Sequence, residues 1–387
     1  MTDQPVLFNI RILDFTWVLA GPYATRLLAD FGAEVIKVQP PFSTDTEDTF
    51  SQGYYNTWNR NKRGITLDLN KPEGIAIARK LVGKCDAVVE NFAPRVMANW
   101  RLDYSRLKEI RPDIIMVSLS LMGQTGPWRD YSGFGPTVQA FSGMTDITSF
   151  PGGPPLGPGF SYADHIAGLY ASLALLGALE FRRRTGEGQH VDISQVEVMS
   201  SLLSGAFFER TGTAAPCGNS SNEGAPHGVY RCRDNRWCAV VVFTKEEWRG
   251  LKKALGSPSW AEEERYASLE GRREGRNELD ERLTAWAKGL TAREMMAVLQ
   301  ANGVAAGVVQ DAADLAADPH LAARGFFRPS AGIDTPPMDA NPIRLSGGPV
   351  LKYGGAPRPG QDNDYVYRQL LGLGDSEIAR LIKDGVI

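Results

Sequence analysis

Asp164 is the residue of this sequence best placed for covalent chemistry. It lies in Gly159-Phe-Ser-Tyr-Ala-Asp-His-Ile-Ala-Gly168, just before an apolar run from Leu169 to Phe181 that ends in Arg182-Arg183-Arg184. Ile166, Leu169, Tyr170, Leu173, Leu176 and Phe181 fall on all sides of a helix, which predicts a buried helix rather than an amphipathic one. The run is shorter than the ~20 apolar residues a bilayer requires. A carboxylate at the start of such a helix has two readings. As an N-cap it accepts hydrogen bonds from the first-turn amides. As a nucleophile it is kept ionised by the positive end of the helix dipole and can attack an activated carbonyl without a general base. Other chemistries have little support. His165, His190, His227 and His320 are scattered without His-x-x-x-His spacing, so no metal site is expected. Cys85, Cys217, Cys232 and Cys238 form no Cys-x-x-Cys pair; Cys232 and Cys238 flank a polar turn, and free thiols are the expectation.

The elements around Asp164 alternate. Strands are expected at Ile10–Phe15, Glu34–Val38, Asp86–Glu90, Asp113–Ser118 and His190–Ile193. Helices are expected from Gly21-Pro22 to Phe31, from Pro72 through Val82, from Tyr104 to Ile110, and from Val196 to Phe208. That repetition predicts a parallel sheet with crossover helices. No Gly-x-Gly-x-x-Gly follows these strands, so the sheet is Rossmann-like without a dinucleotide loop. The Pro/Gly-rich span Ser149–Gly159 reads as a long loop leading to Asp164.

With 387 residues the chain is expected to hold two domains. The division drawn is 1–224 for a large Rossmann-like domain, 225–325 for a small α+β domain, and 326–387 for a C-terminal return, Pro-rich at Pro336-Pro337, to the large domain. In the small domain, strands at Trp237–Phe243 and Val304–Val309 accompany a helix at Lys245–Leu255 and a charged helical stretch at 261–301. The net charge of −3 gives no nucleic-acid footprint, and the N-terminus has no export signal, so a cytoplasmic protein without nucleic-acid or membrane partners is expected.

Seven motifs in order carry a resemblance over nearly the whole chain. They are Asp14-Phe-Thr-Trp-Val-Leu-Ala-Gly-Pro22, Gly32-Ala-Glu-Val-Ile-Lys37, Asn61-Lys-Arg-Gly-Ile-Thr-Leu-Asp68, Glu90-Asn-Phe-Ala-Pro94, Tyr162-Ala-Asp164, Gly186-Glu-Gly-Gln-His-Val-Asp-Ile193 and Ala225-Pro-His-Gly-Val-Tyr230. Together they resemble the class III CoA-transferases, the family of formyl-CoA transferase, carnitine CoA-transferase, benzylsuccinate CoA-transferase and α-methylacyl-CoA racemase. The fold class expected is therefore α/β: a Rossmann-like parallel sheet domain plus a smaller α+β domain, in an interlocked-ring homodimer.

Carried over residue by residue, the resemblance makes Asp164 the catalytic aspartate. It brings Leu19 and Ala20 to CoA after the first strand, and Leu67, Asp68, Leu69 and Asn70 to its adenine end. It adds Asn91, and turns Ser132, Gly133, Phe134 and Gly135 toward the pantetheine and thioester. Read alone, Leu67 and Leu69 are strand core and Asn91 a strand-end turn residue. Pro40 and Asn99 stand where relatives have phosphate-binding arginines, which leaves Lys37, Arg95 and Arg101 as nearby cations, each equally readable as a solvated charge. Cys217–Gly224 reads either as an oxyanion-supporting lid or as a plain linker.

The activity implied is transfer of CoA from a donor acyl-CoA to an acceptor carboxylic acid, through aspartyl anhydride and aspartyl-CoA thioester intermediates. CoA is then a substrate moiety, with no permanently bound cofactor. The alternatives are racemisation or isomerisation by proton transfer alpha to the thioester, which needs an acid–base pair, and CoA binding without catalysis. His165, one step along the helix, points away from Asp164. Trp17, Tyr23, Phe134 and Phe141 suggest a bulky acyl group or serve as core aromatics.

Overall fold

The computed structural model describes residues 4–41, 49–203, 216–329, 338–347, 351 and 353–387. Six parallel strands make the main sheet: β1 (Arg11–Asp14), β2 (Glu34–Gln39), β3 (Arg63–Thr66), β4 (Ala87–Glu90), β5 (Ile115–Ser120) and β6 (His190–Ser194). Their order is β3-β2-β1-β4-β5-β6, the doubly wound arrangement, with the reversal of strand order between β1 and β4. Strand β3 and the helix before it, α2 (Thr49–Asn59), are additions to the expected elements. β3 has only four residues and includes Arg63 and Gly64, so it carries no apolar run. Its pairing with β2, Ile36 opposite Arg63 through Gln39 opposite Thr66, makes it a strand.

The two faces of the sheet bury separate cores. One packs under α3 (Pro72–Val82), α4 (Arg95–Asn99) and α5 (Tyr104–Ile110), and the C-terminal tail joins it through Val366, Tyr367, Leu381, Val386 and Ile387. The other takes α1 (Ala20–Asp30) and the long helix that begins at Tyr162. Between β5 and that helix lie α6 (Gly135–Phe141) and α7 (Met144–Ile147). The long helix, α8, spans Tyr162–Thr185, and α9 spans Gln195–Ser201 after β6. The expected helix to Phe208 runs, from residue 204 on, outside the described residues.

The expectation of a helix buried on all sides is corrected. The buried face of α8 is made of small residues, Ala163, Ala167, Gly168, Ala171, Ser172 and Ala178, with Leu175. They allow close approach to α1: a Cβ on Gly168 would stand 2.7 Å from the Ala20 carbonyl oxygen, and Ser172 Oγ donates to Ala24 O at 3.1 Å. The large side chains Leu169, Tyr170, Leu173, Leu176 and Phe181 are left outward, Leu173 at 68% exposure. At 24 residues α8 is also longer than the apolar run indicated.

The chain divides into a unit of 1–145, 157–213 and 323–387 and a unit of 146–156 and 214–322. Relative to the expected boundaries, 146–156 and the 217–224 stretch move to the smaller unit. Gly218 N–H donates to Ser149 O at 3.3 Å, and Gly218 sits against the Phe150 ring, which ties these segments together. The smaller unit is built on the antiparallel sheet β7 (His227–Arg231), β8 (Trp237–Val241) and β9 (Ala305–Val308). Helices Lys245–Ala254, Arg276–Ala287 and Ala292–Ala301 supply Trp248, Leu251, Leu279, Leu283, Met295 and Leu299 to its core. All four cysteines are free thiols. Pro336-Pro337 lies outside the described residues.

Candidate active site

A cleft of about 330 Å³ opens at the carboxyl ends of β1, β4 and β5. This is the crevice that reversal of strand order creates in a doubly wound sheet. Trp17, Val18 and Leu19 follow β1, Asn91 and Phe92 follow β4, and Ser120 ends β5 with Leu121 after it. Tyr131–Phe134 come in from the segment before α6, and Asp164 from the first turn of α8.

The turn after β1 is pinned by buried charge. Asp14 lies opposite Lys37 in the β1–β2 register. Its Oδ1 accepts from Thr16 N–H at 2.8 Å, and its Oδ2 accepts from Thr25 Oγ1 at 2.7 Å and from Lys62 Nζ at 3.0 Å. Burial alone would raise the Asp14 carboxyl, but the Lys62 and Lys37 ammoniums and the two threonine hydroxyls hold it down at about 2. Lys37 Nζ donates to Thr16 O at 2.6 Å. The expected role of Lys37 as a CoA phosphate contact is therefore corrected: it is a buried lysine of a central strand, spent on the turn that delivers Trp17 to the cleft.

Asp164 is the third residue of α8; Ser161 is the N-cap, and its side chain makes no capping hydrogen bond. The N-cap reading thus gives way to a first-turn position, still within reach of the positive end of the helix. Asp164 backs onto α6, where a Cβ on Gly135 would fall 2.4 Å from its Oδ2. Burial pushes its carboxyl up to about 6, its own backbone N–H opposing. Among the described residues no cation forms a salt bridge with it. Tyr54 of α2 lies close enough that its hydroxyl, raised to about 12 mainly by burial, is raised further by the Asp164 charge. His165 turns away: Nδ1 donates to Ser161 O at 2.7 Å, and the ring sits among Tyr23, Trp58 and Phe160 at centroid distances of 5.0, 5.0 and 4.8 Å. Burial lowers its basicity, the Ser161 carbonyl opposing.

Of the residues named from sequence, the cleft brings together Leu19, Asn91, Ser132, Gly133, Phe134 and Asp164, with Gly135 behind the aspartate. Trp17 joins them, whereas Phe141 packs with Trp128 and Tyr131. Ala20 is buried against α8. Leu67 and Leu69 are core side chains. Asp68 N–H donates to Val386 O at 2.8 Å, and Asp68 Oδ1 accepts from Asn70 N–H at 3.0 Å, so this turn is tied to the C-terminal tail. Arg101 is exposed outside the cleft, and its carbonyl accepts from Arg79 at 3.1 Å. Arg95 does line the cleft. Sequence reasoning missed Arg129, Ser120, Gln195 and Tyr54. Arg129 stands three residues before Ser132 and was within reach of the same motif. Ser120 Oγ is buried without a hydrogen-bond partner among the described residues and marks the end of β5.

The profile of CoA-transferase family III matches residues 7–363. The chain belongs to this family. It is 36% identical to succinyl-CoA–D-citramalate CoA-transferase of Chloroflexus aurantiacus, with 98% of each chain covered. It is 33% identical to succinate–glutarate CoA-transferase of Agrobacterium fabrum, over 96% of this chain and 98% of that one. Among solved structures, a CAIB/BAIF family protein from Brucella suis superposes with a TM-score of 0.87 at 30% identity, covering 95% of this chain and all of that one. The family III subunit is an enzyme, and its cleft lies where a doubly wound sheet binds ligands.

Proposed function

We propose that this enzyme transfers CoA from an acyl-CoA to a carboxylic acid, with Asp164 as the nucleophile. The observation that carries the reading is a half-buried carboxyl, unpaired by any cation among the described residues, at the positive end of a long helix and on the wall of the crevice. Asp164 attacks the donor thioester carbonyl; the C–S bond breaks, leaving an aspartyl–acyl anhydride and CoA thiolate. The thiolate attacks the aspartyl carbonyl and releases the donor acid, leaving an aspartyl-CoA thioester. The acceptor carboxylate then attacks that thioester, and the mirror-image steps give the new acyl-CoA. Each activated bond replaces another of similar energy, so no ATP is consumed.

Leu19 and Ser132–Gly135 support the thioester position, and Arg95 and Arg129 are the cations that fit phosphate or carboxylate groups in the cleft. The names of the relatives, succinyl-CoA–D-citramalate and succinate–glutarate CoA-transferase, support a succinyl-CoA donor and a dicarboxylic acid acceptor. The outward apolar face of α8 supports assembly with a second copy of the chain, and the resemblance supports an interlocked ring. His165, held by Ser161 and its aromatic neighbours, is unsuited to act with Asp164 in alpha-proton transfer.

The test is chemical trapping. Incubation with acyl-CoA followed by borohydride or hydroxylamine should mark the peptide containing Asp164. An unmodified peptide, with near-normal transfer by Asp164→Asn, would refute the mechanism.

A further inference from the structure

Trp17, Val18 and Leu19 all line the Asp164 cleft, although successive residues of an extended chain point to opposite sides. The backbone at Val18 accounts for this: its φ is 62°, in the left-handed region. A β-branched residue is strained there, whereas glycine takes that conformation freely. Strain of this kind persists only where the surroundings over-determine it.

The hold comes from the end of β4. Asn91 Oδ1 accepts from Trp17 N–H at 2.9 Å, and Asn91 Nδ2 donates to Trp17 O at 3.0 Å. Both ends of the carboxamide are spent on the main chain just before the strained residue. Its Cγ lies 3.1 Å from where a Cβ on Gly21 would stand, so Asn91 is seated against the start of α1. Glu90 Oε2 accepts from Phe92 N–H at 2.8 Å and fixes the turn that carries Asn91. The Phe92 ring packs on Trp17, with centroids 6.0 Å apart.

We propose, resting on the reading of the cleft given above, that Asn91 is a positioning residue. It locks Val18 in the left-handed conformation and so sets the Trp17–Leu19 wall against which the thioester meets Asp164. Its side chain is not a CoA ligand.

The test compares wild type, Asn91→Ala, Val18→Gly and the double variant for kcat/KM and for CoA affinity. Loss of the carboxamide is expected to lower kcat/KM by about tenfold or more with valine at 18, since misplaced catalytic geometry is costly. In the Val18→Gly background the same change should cost about threefold at most, because glycine needs no lock. CoA affinity should stay nearly constant across the set. Equal losses in both backgrounds, or a loss confined to CoA affinity, would overturn the proposal and make Asn91 a ligand contact. Hydrogen exchange of a peptide spanning residues 15–20 tests the hold without turnover: it should accelerate in Asn91→Ala, and unchanged exchange would overturn the proposal. A wild type that exchanges no CoA between acids, with exchange accelerated as expected, would refute the functional reading alone.

Discussion

Asp164→Asn should abolish transfer and yet stabilise the protein at neutral pH. The carboxyl rises from its ordinary 3.8 to about 6 because the folded chain removes it from water. The folded state therefore binds the proton more tightly than the unfolded state. Stability from this group is greatest below the unfolded value, falls as pH rises, and is fully lost above about 6. A rise from 3.8 to about 6 corresponds to about 3 kcal/mol as an upper bound. The side chain is only half-buried, so solvent screening reduces this to about 1–2 kcal/mol. Asparagine forgoes the favourable interaction of a carboxylate with the helix end, worth ~0.5 kcal/mol. The net expectation is a gain of about 1 kcal/mol above pH 7, read as a rise of roughly 1–3 °C in the thermal midpoint. At pH 5 about half of the wild-type penalty has disappeared, so the gap between the two proteins should narrow to about half. Melting curves at pH 8 and pH 5, with transfer measured on the same samples, test both halves. A variant less stable than wild type at pH 8, or a gap that ignores pH, would show that Asp164 does not suffer from desolvation.

Four further outcomes are expected. Burial pushes Glu90 up to about 7, against the Ser118 hydroxyl and the Phe92 N–H, so it contributes most below 4.5 and loses that contribution as pH rises through about 7; Glu90→Gln, which mimics the protonated acid, should flatten the fall in stability between pH 5 and pH 8 seen by denaturant titration. Lys37→Ala should cost ~2–4 kcal/mol of stability, because it strips the buried Asp14 cluster and the Thr16 carbonyl of a partner, without weakening CoA binding by the folded protein; Arg129→Ala should do the reverse and weaken acyl-CoA binding by about 1–3 kcal/mol in calorimetry. Gly135→Ala places a methyl 2.4 Å from Asp164 Oδ2, so the carboxylate must move, and kcat should fall by about a hundredfold while the melting temperature changes little.

Where sequence and structure agree, the cause is local. The helices Pro72–Val82 and Tyr104–Ile110 match their expected bounds because each has a clear start: Pro72 in the first turn, and Asp103 capping Arg106 N–H. The meeting of Ser132–Gly135 with Asp164 is not local, and it was legible only through the order of the family motifs. The buried place of Lys37 is written in its sequence context. Val35-Ile36-Lys37-Val38 is a nearly continuous apolar run, the mark of a parallel strand covered on both faces. A lysine inside such a run needs a buried anion, and Asp14 stands at the end of the neighbouring strand to supply it.

Helix α8 departs from its expected burial for the complementary reason. Its large apolar residues suggest burial on all sides, but the signal for packing is the spacing of Ala163, Ala167, Gly168, Ala171 and Ser172, which recur at three to five residues along one face. Small residues at that spacing let two backbones approach closely, and α1 occupies the space they leave. The close approach at Gly168 and Ala20 joins the helix that carries Asp164 to the helix that follows Trp17–Leu19. A larger residue at Gly168 would separate the two walls of the cleft, so the small face of α8 sets the distance between the carboxylate and the strained rim opposite.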